Sequence, residues 1–453
     1  MFRAVPFLMF VRQGIRLLIA AGVGWWLFAD TVAHYRNAAL PAGVIRFAHF
    51  GSYEDYELWR DVIADFEREH PGRRVRQEYI PGMAGQYTTK MRQQILSGTL
   101  PDVALIQLAP FHELAEHFAD LSDLLDGSPR LGLAAERLDT TALAAFRFHG
   151  AQRGLPVSGG PLLIYLNTQC FERAALRRGQ PIPLPGDDWT LEDFRRTAKL
   201  LTCDFDDDGR IDQFGFWLPQ WVYYLPFVWS FGAELTDETM SRWTLYGPAA
   251  EEALTFYRGL AIGDRVCPRD DEVPQLFQDV GFLTGRVAMC VNGPWFQPFL
   301  AKTGLATSYM IAPIPLGPAG RVTRSTWDGV VIPDRLPPAR CLLAKQFVEH
   351  VTSAHAQDRI ARTGRAMPAR IQSLTSFAAP PDEKRRRRFI DALTYSRVQP
   401  VFPHFPDVDR AINRTLAHLS DPGRNSSVTG LLDQLTHDPA IVGAFPQPGM
   451  IQP

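Results

Sequence analysis

From residue 44 onward the chain alternates between short apolar runs and longer amphipathic stretches. Val44–Phe50 is mostly apolar and ends in Phe50-Gly51-Ser52, which predicts a strand and its exit turn. Ser52 followed by Asp55 fits a capping box. Tyr56, Trp59, Val62, Ile63 and Phe66 then recur three or four apart, which predicts a helix closed by Pro71-Gly72. Val75–Ile80 reads as a second strand. Residues 84–97, with Tyr87, Met91 and Ile95 on one face, read as a helix, and Val103–Ile106 as a third, buried strand. Gln107–Pro110 is expected as its exit loop. This β-α-β-α-β order predicts a doubly wound sheet with parallel strands.

The pattern continues less regularly. Residues 126–150 carry a helical pattern, 154–161 a Gly/Pro-rich passage, and Leu162–Leu166 an apolar strand. Thr190 and Asp193 make another capping box, opening a helix to about Leu201. Helices are predicted near 248–261 and 273–284. Val287–Val291 is apolar throughout, as suits a strand covered on both faces. Asn292-Gly293-Pro294-Trp295 follows, and Pro can open the first turn of a helix. Trp295 therefore stands at a strand-to-helix junction, where open α/β folds bind ligands; locally, a core role explains it equally well. Strands at 309–314 and 327–332, and helices at 337–352, 383–397 and 407–419, complete the reading. Arg385–Arg388 reads as a solvated helix face, 366–370 as a loop, and the chain after Asn425 as a tail loose at its end.

Length adds that 453 residues exceed one ordinary core, so two or three domains or lobes are expected. The 47 Lys+Arg and 49 Asp+Glu nearly cancel, which gives no electrostatic case for nucleic acid. Five widely spaced cysteines make no paired metal-ligand motif; Cys203 with Cys267 is the one disulfide worth weighing. At the N-terminus, Arg3, Arg12 and Arg16 precede the apolar run Leu17–Ala29. About 13 apolar residues suit a secretory segment and are short of the ~20 of a full span. Residues 1–33 are thus expected to be a signal peptide or signal anchor and 34–43 a linker. The body would be periplasmic or otherwise extracytoplasmic, with no lipid-anchoring cysteine nearby.

No dinucleotide, P-loop or HExxH motif is present. His112 and His117, like His350 and His355, are five apart, about 140° around a helix, and read as surface histidines. Asp204, Asp206, Asp208 and Asp212 occupy positions 1, 3, 5 and 9 of a calcium-type loop with Gly209 at 6, but Gly215 stands where the closing carboxylate belongs. Either an Asx-stabilised surface turn or an incomplete structural calcium loop fits, the turn better. No other cofactor is implied, and nothing points to an enzyme.

The order and spacing of several pieces carry a resemblance: Phe66–Pro71, Gly98–Val103, Leu162–Asn167, Trp189–Phe194, Asp206–Gly215 and, most specifically, Phe282–Met289 with Asn292–Trp295. From about Val44 to Leu419 the chain resembles the extracellular solute-binding proteins of bacterial ABC importers, in the maltose-binding-protein-like carbohydrate family. The resemblance implies an α/β periplasmic-binding-protein fold of two lobes, each a mostly parallel sheet flanked by helices, joined by a multi-crossing hinge. Lobe one would comprise 44–161 plus 308–354, and lobe two 162–307 plus 355–453. A carbohydrate would be captured between them by hinge closure and passed to an ABC permease, the binding protein itself being a monomer.

A sugar offers ring hydroxyls and C–H faces, so its binder needs planar aromatics with carboxylate, amide or guanidinium partners. The expected ligand contacts are Phe50, Gly51 and Ser52; Gln107; Gly159 and Gly160; Trp221 and Trp229; Asn292, Gly293 and Trp295; Trp327, Asp328 and Gly329; and Arg370. Trp295 resembles the family's sugar-stacking aromatic. Two further readings stay open: an exported ligand-sensing receptor on the same fold, and a glycan-cleaving enzyme.

Overall fold

The computed structural model describes residues 40–82, 84–125, 138–269, 272, 278–377, 383–402, 404–423 and 426–445, leaving aside the side chains of Ala84 and Trp221. The expected export segment at 1–33 and most of the linker lie outside the described residues. Among these, no helix is long and apolar enough to cross a membrane. The chain divides into two compact units. The first runs from the start of the described residues to Ile106, with His117–Asp120 and Val330–Val348; the second comprises Gln107–Glu116, Leu121–Gly329 and the chain from Glu349.

The first unit follows the alternation of its sequence. Strands β1 (Val44–Gly51), β2 (Arg74–Pro81) and β3 (Val103–Gln107) lie in the order β3-β1-β2, and β1 is parallel to both neighbours. Between them run helices Tyr53–Glu69 and Ala84–Leu96. The Ser52–Asp55 capping box is formed. Phe47 packs edge-on against Trp59 and Phe347, with ring centroids 5.0 and 5.2 Å apart. Asp102 is fully buried; it accepts the Arg46 backbone N–H at 2.8 Å and pairs with Arg340 at 2.5 Å, which offsets its desolvation.

The second unit holds the remaining strands. A hairpin of β4 (Arg147–Phe148) and β5 (Ala151–Gln152) precedes β6 (Leu155–Pro161) and β7 (Leu163–Asn167). Further on come β8 (Phe214–Phe216), β9 (Val287–Asn292), β10 (Tyr309–Ala312), β11 (Thr323–Val331, whose last residues pass into the first unit), β12 (Met367–Pro368) and β13 (Ser396–Val398). One sheet has the order β10-β7-β9-β8; elsewhere β6 lies between β12 and β11, and β13 joins β11. The expected mostly parallel arrangement needs correction in the four-stranded sheet. There β7 runs antiparallel to both β9 and β10, and only β8 and β9 are parallel. An all-apolar strand announces burial on both faces but carries no mark of its direction.

Other expectations are also corrected. The Gly/Pro-rich passage at 154–161 is the fully buried strand β6, because its glycines admit neighbours that a side chain would exclude. Gln107 ends β3 and stands at the N-cap position of a helix, Leu108–Leu114, without a side-chain capping bond, where a loop was expected, and within 138–150 the helix is only Thr140–Ala145. Part of the 366–370 loop is β12, paired with β6. The charge run is no solvated face. Arg385 is buried, lies 3.8 Å over the Tyr309 ring and donates to the Tyr309 carbonyl at 2.6 Å. Arg388 pairs with Asp187, and Arg387 alone of the four is fully exposed. His350 is buried and His112 half-buried, so neither is a surface histidine. The chain after Asn425 forms helices Val428–Thr436 and Pro439–Ala444 against Phe405–Ser420, and its end, expected to be loose, lies outside the described residues. All five cysteines are free thiols, so Cys203 and Cys267 form no disulfide; four are buried and Cys341 is half-exposed.

Candidate ligand-binding site

The site starts from β9. All six residues of Val287–Asn292 are buried, and a short turn at Pro294–Phe296 leads into helix Gln297–Ala301. The expected strand-to-helix junction is therefore present. Its geometry is fixed by hydrogen bonds. The fully buried Tyr165 hydroxyl donates to the Gly293 carbonyl at 2.7 Å. Asn292 accepts the Gly293 N–H at 2.9 Å and donates to the Asp279 carboxylate at 2.8 Å. Gln278 donates to the Val291 carbonyl at 2.7 Å. Burial raises the pKa of Asp279.

Trp295 remains half-exposed on this support. Its indole lies against Gly293 so closely that a Cβ there would meet ring carbons at 2.2–2.5 Å. The Tyr223 ring lies beside it, with the two ring centroids 6.5 Å apart and the planes tilted by 47°. Burial pushes Tyr223 up to about 12, with the nearby Arg324 acting in the opposite sense. Arg324 is buried, and desolvation lowers it to about 10. Its Nε donates to Gln399 at 2.7 Å. Asp409 is pushed up to about 6 by burial and accepts the Tyr224 hydroxyl at 3.1 Å. An aromatic face, a phenol, two carboxylates and a guanidinium are thus linked in one neighbourhood. They can hold hydroxyls and cover an apolar ring face.

Of the residues expected from sequence, the structure brings Asn292, Gly293, Trp295 and Gly160 together. Gly160, at φ +151°, leaves no room for a side chain: a Cβ would lie 2.7 Å from Pro294 and 3.5 Å from Met367. Gly159 serves the approach of β6 to β11, since a Cβ would lie 2.1 Å from the Thr326 carbonyl and 2.7 Å from the Trp327 ring. Trp327 is 1% exposed, Asp328 half-buried, and Gly329 is packed under the Phe146 ring. Arg370 is buried and donates to the Thr352 carbonyl at 3.0 Å. Trp229 is enclosed in a different apolar cluster, with Leu235, Trp243 and Val408. Trp221 lies in the turn Trp221–Tyr224, its side chain outside the described residues. Gln107 is a helix N-cap.

In the first unit, Phe50 packs on Tyr87, with centroids 5.2 Å apart. Ser52 donates to Asp55 from its backbone and its hydroxyl, at 2.6 and 3.1 Å. Gly51, at φ +135°, clears that same carboxylate. Sequence reasoning missed Tyr223, Asp279, Arg324 and Asp409. The one available signal was the aromatic density of 214–229, which drew attention to the tryptophans and away from Tyr223.

The Asp204–Asp212 loop is a hydrogen-bonded turn. Asp204 accepts the N–H groups of Asp207 and Gly209, each at 2.8 Å, and Asp212 accepts that of Phe205 at 2.8 Å. Ligand oxygens of Asp204, Asp206 and Asp208 lie within 4.8 Å of one another.

Residues 51–358 match the family of bacterial extracellular solute-binding proteins, and the chain belongs to it. A putative binding protein of Brucella abortus is 23% identical over 280 residues, a stretch spanning 60% of this chain and 64% of that relative's length. Among solved structures, the Listeria monocytogenes ABC substrate-binding protein Lmo0181, in complex with cycloalternan, superposes with a TM-score of 0.74. It is 20% identical over 86% of this chain and 96% of its own. UgpB of Mycobacterium tuberculosis, in complex with glycerophosphocholine, gives 0.72 at 21% identity, covering 87% and 97%. The GacH receptor of Streptomyces glaucescens, solved unliganded and with acarbose, gives 0.71 at 19%, covering 87% and 97%. These likenesses establish the fold as that of the periplasmic binding proteins.

Proposed function

We propose that this chain is the extracytoplasmic binding subunit of an ABC importer, capturing a carbohydrate or related polyhydroxylated molecule and passing it to a membrane permease. The observation that carries the reading is the half-exposed Trp295 indole, seated on Gly293, with the Tyr223 ring beside it and the Asn292–Asp279 pair at the end of the same strand. A flat apolar face beside fixed polar groups matches the two-sided chemistry of a sugar ring. Family membership and the sugar-type ligands named with Lmo0181 and GacH support the same class. We assign ligand contact first to Trp295, Asn292 and Gly293, and add Tyr223 and Asp279. Gly160, close against Pro294, is assigned a supporting position. A monomer suffices for this function.

The test is a calorimetric and thermal-shift panel of monosaccharides, oligosaccharides, polyols and glycerophosphodiesters. A ligand from the panel should bind, and Trp295→Ala should weaken it at least tenfold, about 1.4 kcal/mol, in a protein that still folds. Absence of heat and of any shift across the panel would remove the carbohydrate class. Unchanged affinity in Trp295→Ala would move the site elsewhere.

A further inference from the structure

Arg324, on β11, is a buried cation with unused hydrogen-bonding capacity. Its backbone carbonyl accepts the Leu162 N–H at 2.8 Å, and the next residue, Leu163, pairs in register with Asn292 at the end of β9. One strand thus separates Arg324 from the junction that carries Trp295. Its Nε is committed to Gln399 at 2.7 Å.

The far end of the guanidinium is not committed. Arg324 is 6% exposed, and among the described residues neither Nη has a hydrogen-bond or ion-pair partner. Trp229 Nε1 and Gln399 Nε2 are sealed from solvent, whereas both Nη nitrogens of Arg324 keep surface that a small molecule can reach. A cation this deeply buried is expensive without partners, so the two Nη groups ask for oxygen acceptors from outside the chain.

The surroundings decide which oxygens those are. Burial governs the Tyr223 hydroxyl, and the charges of Arg324 and Asp279 reach it next, so the phenol beside Trp295 senses both. Asp409 also senses Arg324 but makes no ion pair with it; its Oδ1 accepts the Tyr224 hydroxyl at 3.1 Å. Asp279 accepts the Asn292 amide at 2.8 Å. One guanidinium therefore stands among two carboxylates. An acidic group brought to Arg324 would meet both of them in poorly solvated surroundings, and a basic group would meet Arg324 itself. A hydroxyl meets neither objection. Its oxygen accepts from an Nη while its proton goes on to a carboxylate or phenol oxygen.

We propose that Arg324 contacts the ligand and sets its class, its two Nη groups donating to neighbouring hydroxyl oxygens of an uncharged sugar or polyol that lies against Trp295. The paired donors of a guanidinium suit oxygens on adjacent carbons, as a vicinal diol presents them. The assignment rests on the Trp295 site taking a polyhydroxylated molecule, and adds to it the choice of uncharged over acidic ligands.

The test is calorimetry on the full chain with the uncharged members of the panel, D-glucose, maltose and glycerol among them, and with D-glucuronate and glycerol 3-phosphate as acidic counterparts. The parent should bind its best uncharged probe more tightly than either acidic one. Arg324→Met should weaken that binding by at least about tenfold. It also removes the desolvated cation, so the unliganded protein should melt no more than about 3 °C lower, even with Gln399 Oε1 left without its donor. Arg324→Lys keeps the charge but not the paired donors, and its affinity should lie between the two. A smaller loss of affinity in Arg324→Met overturns the proposal, as does tighter binding of an acidic probe. So does a larger fall in the melting temperature, which would make Arg324 a structural support. A parent that binds no probe fails the reading of the Trp295 site itself, and the assignment of Arg324 falls with it.

Discussion

Gly293→Ala tests the support of Trp295 most directly. The backbone at Gly293 has φ −102°, which any residue adopts, so the substitution meets no backbone strain. The obstacle is the indole, whose carbons would lie 2.2, 2.3 and 2.5 Å from the new methyl. Carbon atoms in contact sit about 3.5–4.0 Å apart, so the ring must move by roughly 1–1.5 Å. The ring is the free end of a half-exposed side chain and can yield, which keeps the stability cost below about 1.5 kcal/mol. What moves with it is function. Losing the aimed aromatic face costs about 0.5–1.5 kcal/mol. This predicts a loss of affinity of roughly 2- to 13-fold. Calorimetry with the ligand found in the panel measures the affinity, and a melting curve measures the stability. An unchanged affinity, or a large fall in melting temperature with affinity intact, would refute the idea that Gly293 sets the aim of Trp295.

Asp409 should make stability fall with rising pH. Its carboxyl is raised from 3.8 to about 6, so the folded state holds a proton that the unfolded state has released. The stabilisation is complete below about pH 4 and lost as pH passes 6, about 3 kcal/mol at most. Asp409→Asn should therefore melt higher than the parent at pH 7.5 and alike at pH 4; equal melting at both would place the charge elsewhere. Arg385→Ala should destabilise by about 2–4 kcal/mol, since it removes a buried cation from the Tyr309 ring and carbonyl, whereas Arg387→Ala should change stability by less than about 0.5 kcal/mol. Similar urea midpoints for the two variants would contradict the distinction. Calcium at about 1 mM should leave the melting temperature unchanged, because backbone N–H groups already engage Asp204 and Asp212; a rise of several degrees would make the loop a cation site.

The first unit was legible almost to the residue, because each of its elements is marked locally. Val44–Phe50 and Val103–Ile106 are apolar runs of strand length, and Ser52 with Asp55 fixes a helix start. Strand β6 was hidden because glycine and proline usually signal a turn. Here Gly159 is required by a neighbour about 167 positions along the chain, and no local pattern records that. The same limit applies to the site. Trp295 is conspicuous in sequence, but Tyr223 and Asp279 are tyrosine and aspartate among many, and only the fold brings them to Trp295. Arg385 shows the reverse error: four consecutive arginines look solvated until one of them is found over a buried ring.

The free thiols have a practical consequence for spectroscopy. Burial pushes Cys170 up to about 11 and raises Cys203, Cys267 and Cys290 as well, so the reactive thiolate is scarce at all four near neutral pH. Cys341, half-exposed on helix Pro338–Val351 of the first unit, is the accessible one of the five. The natural sequence therefore carries its own single attachment point for a maleimide fluorophore, and ligand-dependent changes can be followed optically without first removing or adding a cysteine.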